Sequence, residues 1–245
     1  MNYLDNWDEK YGEIFSKRAK GILPEMESSK SIRKIIKKIM REYYSILDVG
    51  CGVGHYFPPL KKLKLNFYYY GVDVTKKYIE EAKKIFQKEK NVYFKQGNIF
   101  KLPYKSKMFN IVLFVNTLEN LPSIEKPIFE LLRVSKKYVI IRTLVDDRSF
   151  YIKESKNDKF FKSGEPKEYG FFNIYSRKYL TETIRKFDSN CRIKFIKDKD
   201  YKVSAIQKSS KTDGKKSSNI TKIMSGMQVN GPILMNWEFI IIEKN

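Results

Sequence analysis

The sequence predicts a three-layer α/β/α sandwich on one seven-stranded, mostly parallel sheet, with a helical cap at the N-terminus. Three observations carry that expectation. Between Ser45 and Thr143, short β-branched or aromatic runs alternate with longer segments of helical periodicity, the rhythm of a sheet with helices on its faces. The first of these strands runs into a glycine-rich turn, Asp48-Val49-Gly50-Cys51-Gly52-Val53-Gly54, which lets backbone pass close beneath a ligand. The composition, 245 residues with 42% hydrophobic and 15% aromatic, suits one large globular unit and excludes disorder as the main theme.

The elements follow in order. Ahead of the first strand, residues 1–44 read as two helices, Trp7 to Lys20 and Ser31 to Tyr43, parted by Gly21 to Ser29 with its Pro24. In the first of them Tyr11, Ile14 and Phe15 make an apolar side for docking. Residues 45–245 form the main domain. Its strands are expected at Ser45 to Val49, Asn66 to Val72, Asn91 to Lys95, Phe109 to Val115, Lys137 to Thr143, Arg192 to Lys197 and Trp237 to Glu243. Thr75 to Lys90 reads as a helix capped by Thr75, with Tyr78, Ile79, Ala82, Ile85 and Phe86 along one stripe. Pro122-Ser123 opens another helix and Ser176 to Phe187 is a third. Two segments interrupt the rhythm: residues 144–174, polar and aromatic, are expected to face substrate, and 199–228, rich in Lys and Ser, reads as an insertion or linker.

Several classes fall away. No apolar run approaches the ~18 residues of a membrane span, and the acidic N-terminus does not read as a secretory signal. Cys51 and Cys191 are far apart and match no metal-ligand spacing, so no metal is expected and a reducing, cytoplasmic setting fits. The charge is less conclusive. Forty-nine basic against 28 acidic residues leave +21, which attracts anions in general. Most of the basic residues are Lys, so a solvated surface accounts for the excess about as well as a phosphate-bearing partner does.

The glycine turn is neither of two familiar phosphate-binding loops. A dinucleotide fingerprint would place its third glycine where His55 stands, and no G-K-[ST] follows to make a P-loop. The pattern is D-x-G-x-G-x-G, and the next strand ends at Asp73, whose carboxylate suits both hydroxyls of an unphosphorylated ribose. Gly97-Asn98-Ile99-Phe100-Lys101-Leu102-Pro103, then Phe109-Asn110-Ile111-Val112, then Leu118-Glu119-Asn120-Leu121-Pro122 follow in order.

Together these residues resemble the class I S-adenosylmethionine-dependent methyltransferases, over about Ser45 to Thr143. The resemblance implies a Rossmann-like methyltransferase fold and S-adenosylmethionine as cofactor. Carried over by position, it implies a cofactor set of Asp48, Gly50, Cys51, Gly52, Asp73, Val74, Asn98, Ile99 and Asn116, with Asp48, Gly50 and Gly52 under the methionine part, Asp73 on the ribose and the Asn98 carbonyl on the adenine amino group. The chain departs from the family by carrying Asn at 98, 110 and 120, where acids and a His are usual. Glu119 and His55 are the candidates for acid–base work. Arg142, Tyr11 and Asn120 are the candidates for acceptor binding, with the Arg142 fork suited to a carboxylate or phosphate. The competing expectation for Arg142 is a salt bridge to Asp146 or Glu119. The reaction expected is methyl transfer to a hydroxyl or amine of a small, anionic metabolite, such as a nucleotide-linked sugar or a surface-polysaccharide precursor. RNA is the alternative acceptor, and a non-catalytic cofactor-binding subunit is a third reading.

Overall fold

The computed structural model describes residues 9–155, 157, 159–198, 221–224, 227–230 and 233–245, with side chains for 12–155, 157, 159–198 and 236–245. Two helices, α1 (Glu9–Ala19) and α2 (Glu27–Ile39), precede β1 (Tyr44–Val49), α3 (Phe57–Lys61), β2 (Phe67–Asp73), α4 (Lys76–Ile85), β3 (Val92–Gln96) and β4 (Phe109–Val115). A single 3-10 turn, Leu118–Asn120, leads to α5 (Glu125–Val134) and the long β5 (Ser135–Asp146). Then come the short β6 (Lys153–Ser155), β7 (Tyr169–Phe171) and β8 (Tyr175–Ser176), followed by α6 (Arg177–Phe187), β9 (Arg192–Lys197), β10 (Thr221–Met224), β11 (Met227–Asn230) and β12 (Ile233–Glu243).

The seven expected strands lie in the order β3-β2-β1-β4-β5-β12-β9, parallel from β3 to β5 and antiparallel through β12 and β9. Three further strands extend the sheet to ten. β8 pairs with the end of β5, and β10 and β11 continue antiparallel from the start of β12. The seven-stranded frame expected is in place, and the three additions lie at its margin. Of the insertion expected at 199–228, residues 199–220 lie outside the described part, while Thr221–Met224 pairs with Met227–Asn230, backbone pairing that a Lys/Ser-rich composition does not announce. The helix expected from Ser31 starts four residues earlier, with Glu27 in its first turn paired to Lys30 at 2.7 Å. Thr75 precedes α4 without capping it through its side chain; Asp73 Oδ1 accepts the Thr75 N–H instead, at 2.8 Å.

Period-2 alternation along the central strands sorts their side chains into two cores. Leu47, Val112 and Phe114 pack with Leu131 of α5 and Ile184 of α6. Ile46, Ile111 and Leu113 pack on the other face with Ile32 and Ile36 of α2, Phe57 of α3 and Ile79 of α4. The N-terminal helices therefore contribute to the core itself. Asn110 pins β4 to β1 at its first turn: its Oδ1 accepts from Ser45 N at 2.9 Å and from Ser45 Oγ at 3.1 Å. That accounts for Asn at 110 and places it at the end of the sheet where the strands begin. No helix among the described residues is long and apolar enough to cross a membrane.

β2 crosses under the glycine turn at Gly71, where a Cβ would lie 2.5 Å from Phe94 Cδ1 and 2.8 Å from Cys51 Sγ. Phe94 is itself held by Tyr69 and Phe86, so the ring has nowhere to retreat. Gly71→Ala is expected to cost about 1–3 kcal/mol through overpacking, read as a lower midpoint in chemical denaturation.

Candidate active site

A cleft of about 820 Å³, counted out to its open mouth, lies at the carboxyl ends of β1, β2 and β4. Its place follows from topology. The chain leaves β1 toward β2 on one side and returns to β4 on the other, so the connections diverge and leave a crevice at the switch point. The floor is the glycine turn, with Gly50 at φ +69° and Gly52 at φ +53°, in the left-handed region that a side chain disfavours. At Gly50 there is no room either, because a Cβ would stand 2.8 Å from Thr117 Oγ1.

Asp73 holds this floor in shape. One carboxylate oxygen accepts the Gly52 N–H at 2.9 Å and the other the Thr75 N–H at 2.8 Å. Asp73 remains part of the cleft wall. Burial raises its pKa, against the hydrogen bonds from Thr75 and Gly52 that lower it. Asp48 lies below the turn, 1% exposed, and accepts the Tyr69 hydroxyl at 2.5 Å. Burial, resisted by that hydrogen bond and aided by the Asp73 charge, pushes Asp48 up to about 7.

Of the residues singled out in the sequence, Gly50, Gly52, His55, Asp73, Val74, Ile99 and Asn116 line the cleft together. Asp48 and Cys51 are buried beneath it. Tyr11 falls in α1 but its side chain lies outside the described part. Asn98 is a correction: it is exposed, its Oδ1 accepts Phe100 N–H at 2.9 Å to close a local turn, and it stands outside the cleft wall. Asn120 is also exposed, and its amide bridges back to the Asn116 carbonyl at 3.4 Å. None of the described residues of 144–174 lines the wall. Its Asn173 instead donates to the Leu121 carbonyl at 2.8 Å, tying β6 and β7 to the 3-10 turn. Met26, from the Pro24 to Ser28 segment that the sequence offers as a cover over cofactor and substrate, lines the cleft, whereas Phe15, Tyr56, Tyr78, Phe114, Thr117 and Leu121, which also wall it, are not singled out by the sequence as ligand contacts. Tyr78 and Phe15 were visible only as apolar stripe residues, a signal that does not separate core from ligand contact.

The two catalytic candidates sit in opposite surroundings. His55 stacks flat on Phe15, with centroids 4.4 Å apart and planes 7° from parallel. Burial, and secondarily the Arg18 charge, lower its pKa to about 3, so it is neutral at pH 7 and a weak base. Glu119 lies outside the cleft wall, 2% exposed. Its Oε2 accepts Thr143 Oγ1 at 3.1 Å, and its carbonyl accepts Asn173 N–H at 2.7 Å. Burial pushes Glu119 up to about 7, opposed by its hydrogen bonds and by Arg142. That value would suit a base, but the contacts are those of a residue that fixes the turn to β5.

Arg142 corrects the expectation of an acceptor anchor. Its side chain is 2% exposed and its Nη2 stands 2.8 Å from Asp198 Oδ2, while Nη1 donates to Asn116 Oδ1 and the guanidinium lies 4.1 Å over the Trp237 ring. The partner is thus Asp198, neither Asp146 nor Glu119, and Arg142 is outside the cleft wall. Nothing in the sequence joins positions 56 residues apart.

Residues 41–208 match the family described as a methyltransferase domain, so the chain belongs to that family. Together with its fold this makes it a class I S-adenosylmethionine-dependent methyltransferase, with S-adenosylmethionine as cofactor. It is 26% identical over 219 residues to an uncharacterized protein of Methanocaldococcus jannaschii, covering 84% of this chain and 92% of that one. Among solved structures it resembles a SAM-dependent methyltransferase of Methanosarcina mazei, with TM-score 0.56, 17% identity, and 86% and 96% of the two chains covered. A SAM-dependent methyltransferase of Aquifex aeolicus matches with TM-score 0.54, 18% identity, and 98% and 100% covered. The [4+2]-cyclase SpnF matches with TM-score 0.59, 14% identity, and 88% and 81% covered. At these identities the structural likeness speaks for the fold.

Two outcomes follow from the buried charges. Arg142→Ala leaves the Asp198 carboxylate buried without its cation and is expected to destabilise the protein by about 3–5 kcal/mol in chemical denaturation. For Glu119 the sign runs the other way. Its folded pKa lies above its ordinary value of 4.5, so the stability it contributes is complete below pH 4.5 and lost as pH rises through about 7. Glu119→Gln should therefore gain on the wild type by up to about 3 kcal/mol between pH 4.5 and 8, measured as the difference in unfolding free energy at each pH.

Proposed function

We propose that the cleft holds S-adenosylmethionine with its ribose at Asp73 and its methionine end over Gly50 and Gly52, and that the acceptor is a small molecule with a hydroxyl or amine. The observation that carries this reading is the conjunction of left-handed glycines and the Asp73 carboxylate in the wall of one cleft at the switch point of the sheet. The cofactor, when bound, supplies a methyl group already activated by sulfonium. What remains for this chain is to position and to exclude water. Phe15, Met26, Tyr56, Tyr78, Phe114 and Leu121 give the cleft a largely apolar wall in which an acceptor is desolvated and held for in-line attack.

The wall bears also on the class of acceptor. No Lys or Arg is among its residues, and Arg142 is engaged with Asp198. Among the described residues the cleft wall therefore carries none of the net +21. A nucleotide-linked sugar or other phosphate-bearing acceptor rests on that surface charge alone, whereas a neutral or aromatic alcohol or amine suits the wall directly. His55, neutral and only weakly basic, serves contact rather than proton removal. Glu119 positions the turn that carries Asn116 and Leu121.

Asp73→Ala removes the ribose acceptor and also frees the Gly52 and Thr75 N–H groups. It is expected to weaken S-adenosylhomocysteine binding by about 1.5–3 kcal/mol in calorimetry, with Asp73→Asn intermediate because one acceptor oxygen survives. Wild-type affinity in the alanine variant would remove Asp73 from the site.

A further inference from the structure

We propose that the face of β2 and β3 turned away from α4 is a docking surface for unpaired RNA, apart from the cofactor cleft. The two strands close the sheet on one side, and period-2 alternation divides their residues between its faces. Phe67, Tyr69 and Phe94 pack into the core beneath α4. Tyr68, Tyr70, Tyr93 and Lys95 alternate with them and so take the opposite face. No helix among the described residues covers it: the chain passes from β3 to β4 through residues 97–108 without forming one, and α5 lies against β4 and β5. Tyr68 is left 37% exposed and Tyr93 45%.

The rings are fixed and the charge around them has one sign. Tyr93 stacks on Tyr70, with centroids 4.9 Å apart and planes 23° from parallel, and Tyr70 meets Phe109 edge-on at 5.1 Å. Exposed Met108 continues the surface, because its carbonyl accepts from Ser45 Oγ at 3.4 Å and Ser45 is the register partner of Tyr68. From Lys90 to Leu118 the chain has five lysines and no acidic residue. Lys95 Nζ stands 5.9 Å from the centre of the Tyr104 ring, and Lys101, Lys105 and Lys107 are exposed on the connection to β4. The carboxylate that reaches this connection, Glu130, is buried and engaged by Arg133 at 2.8 Å and by the Leu102 N–H at 2.6 Å. A second copy of such a face is repelled by its like charge, whereas a polyanion is attracted. An unpaired strand brings both complements, bases that stack on tyrosine rings and phosphates for the lysines. A duplex turns its bases inward, and RNA is the nucleic acid that presents them unpaired in loops and ends. Tyr68 and Tyr93 stand near the amino ends of their strands and outside the cleft wall, so the proposal does not depend on the cofactor or acceptor reading.

The test is fluorescence anisotropy of a labelled, mixed-sequence RNA strand of ~12 nucleotides titrated with the full chain at several salt concentrations. The wild type is expected to bind with a log–log salt slope of about −2 to −3, the release from three or four phosphate contacts. Tyr68→Leu and Tyr93→Leu keep apolar bulk but lose the ring, and each weakens binding about 5- to 100-fold, while Tyr93→Phe binds as the wild type does. Lys95→Gln combined with Lys105→Gln flattens the slope by about 1.4. The same loss of charge on α4, against the opposite face, in Lys83→Gln combined with Lys84→Gln, leaves the affinity within about twofold. Should Tyr93→Leu fail to fold, the exposed Tyr68→Leu and the lysine pair decide. The proposal is overturned if the wild type does not bind RNA at low salt, if the leucine variants bind like the wild type, or if the α4 pair weakens binding as much as the Lys95 and Lys105 pair. It is overturned too if duplex RNA or a DNA strand of the same sequence binds more tightly. A dimer in sedimentation velocity that Tyr68→Lys abolishes overturns it as well, since a second copy then covers the face.

Discussion

The buried pair Arg142–Asp198 is the constraint on which the rest of the site depends. Arg142 stands on the central β5, and Asp198 is the first residue past β9. The same carboxylate accepts Ser31 Oγ of α2 at 3.2 Å, and its backbone N–H reaches the Trp237 carbonyl of β12 at 2.9 Å. The guanidinium reaches Asn116 on the cleft wall. One ion pair therefore fastens the cap, two strands on the antiparallel side and the cleft rim to each other. Its charges are nearly dry, so it holds only as a complete set: a lone buried charge has no adequate substitute for water. The flat packing of Trp237 on Arg142 adds directional attraction without needing any further donor.

Around that frame the ligand cleft is built from backbone more than from side chains. The Gly50 and Cys51 N–H groups point at the Val72 carbonyl, 2.8 and 3.1 Å away, and the Gly52 N–H at Asp73. The turn is thus stitched to the end of β2 before any ligand arrives. Such pre-organisation means that little ordering entropy is lost on binding. Asn116 contributes in the same way, holding a left-handed conformation at φ +54° while its side chain takes a hydrogen bond from Arg142. A non-glycine residue in that region is held there by its surroundings, here at the end of β4 where the chain must turn over the cleft.

The charge of the chain and the chemistry of the cleft are separate matters. Surface pairs of the described lysines, such as Lys17–Glu13 and Lys153–Glu165, contribute little to stability. At and beneath the cleft, burial rather than ion pairing governs Asp48, Glu119 and His55. Asp48 and Glu119 are driven up and His55 down, each toward its neutral form.

By itself the sequence determined the alternation of strand and helix, the glycine turn after β1 and the carboxylate at the end of β2. These are local: φ preferences, period-2 and period-3.6 patterns and strand-end residues act within a few positions, and Gly50, Gly52 and Asp73 stand in the cleft wall where those patterns put them. What only the tertiary structure decided was which polar groups meet. Asp198 pairs with Arg142 across 56 residues, and α1 lays Phe15 on His55 across 40. Asn98 closes a turn on its own backbone, and Glu119 is buried against Thr143 of β5 outside the cleft wall. A side chain's partner and its share of solvent are set by the packing of distant elements, and no periodicity along the chain encodes that distance.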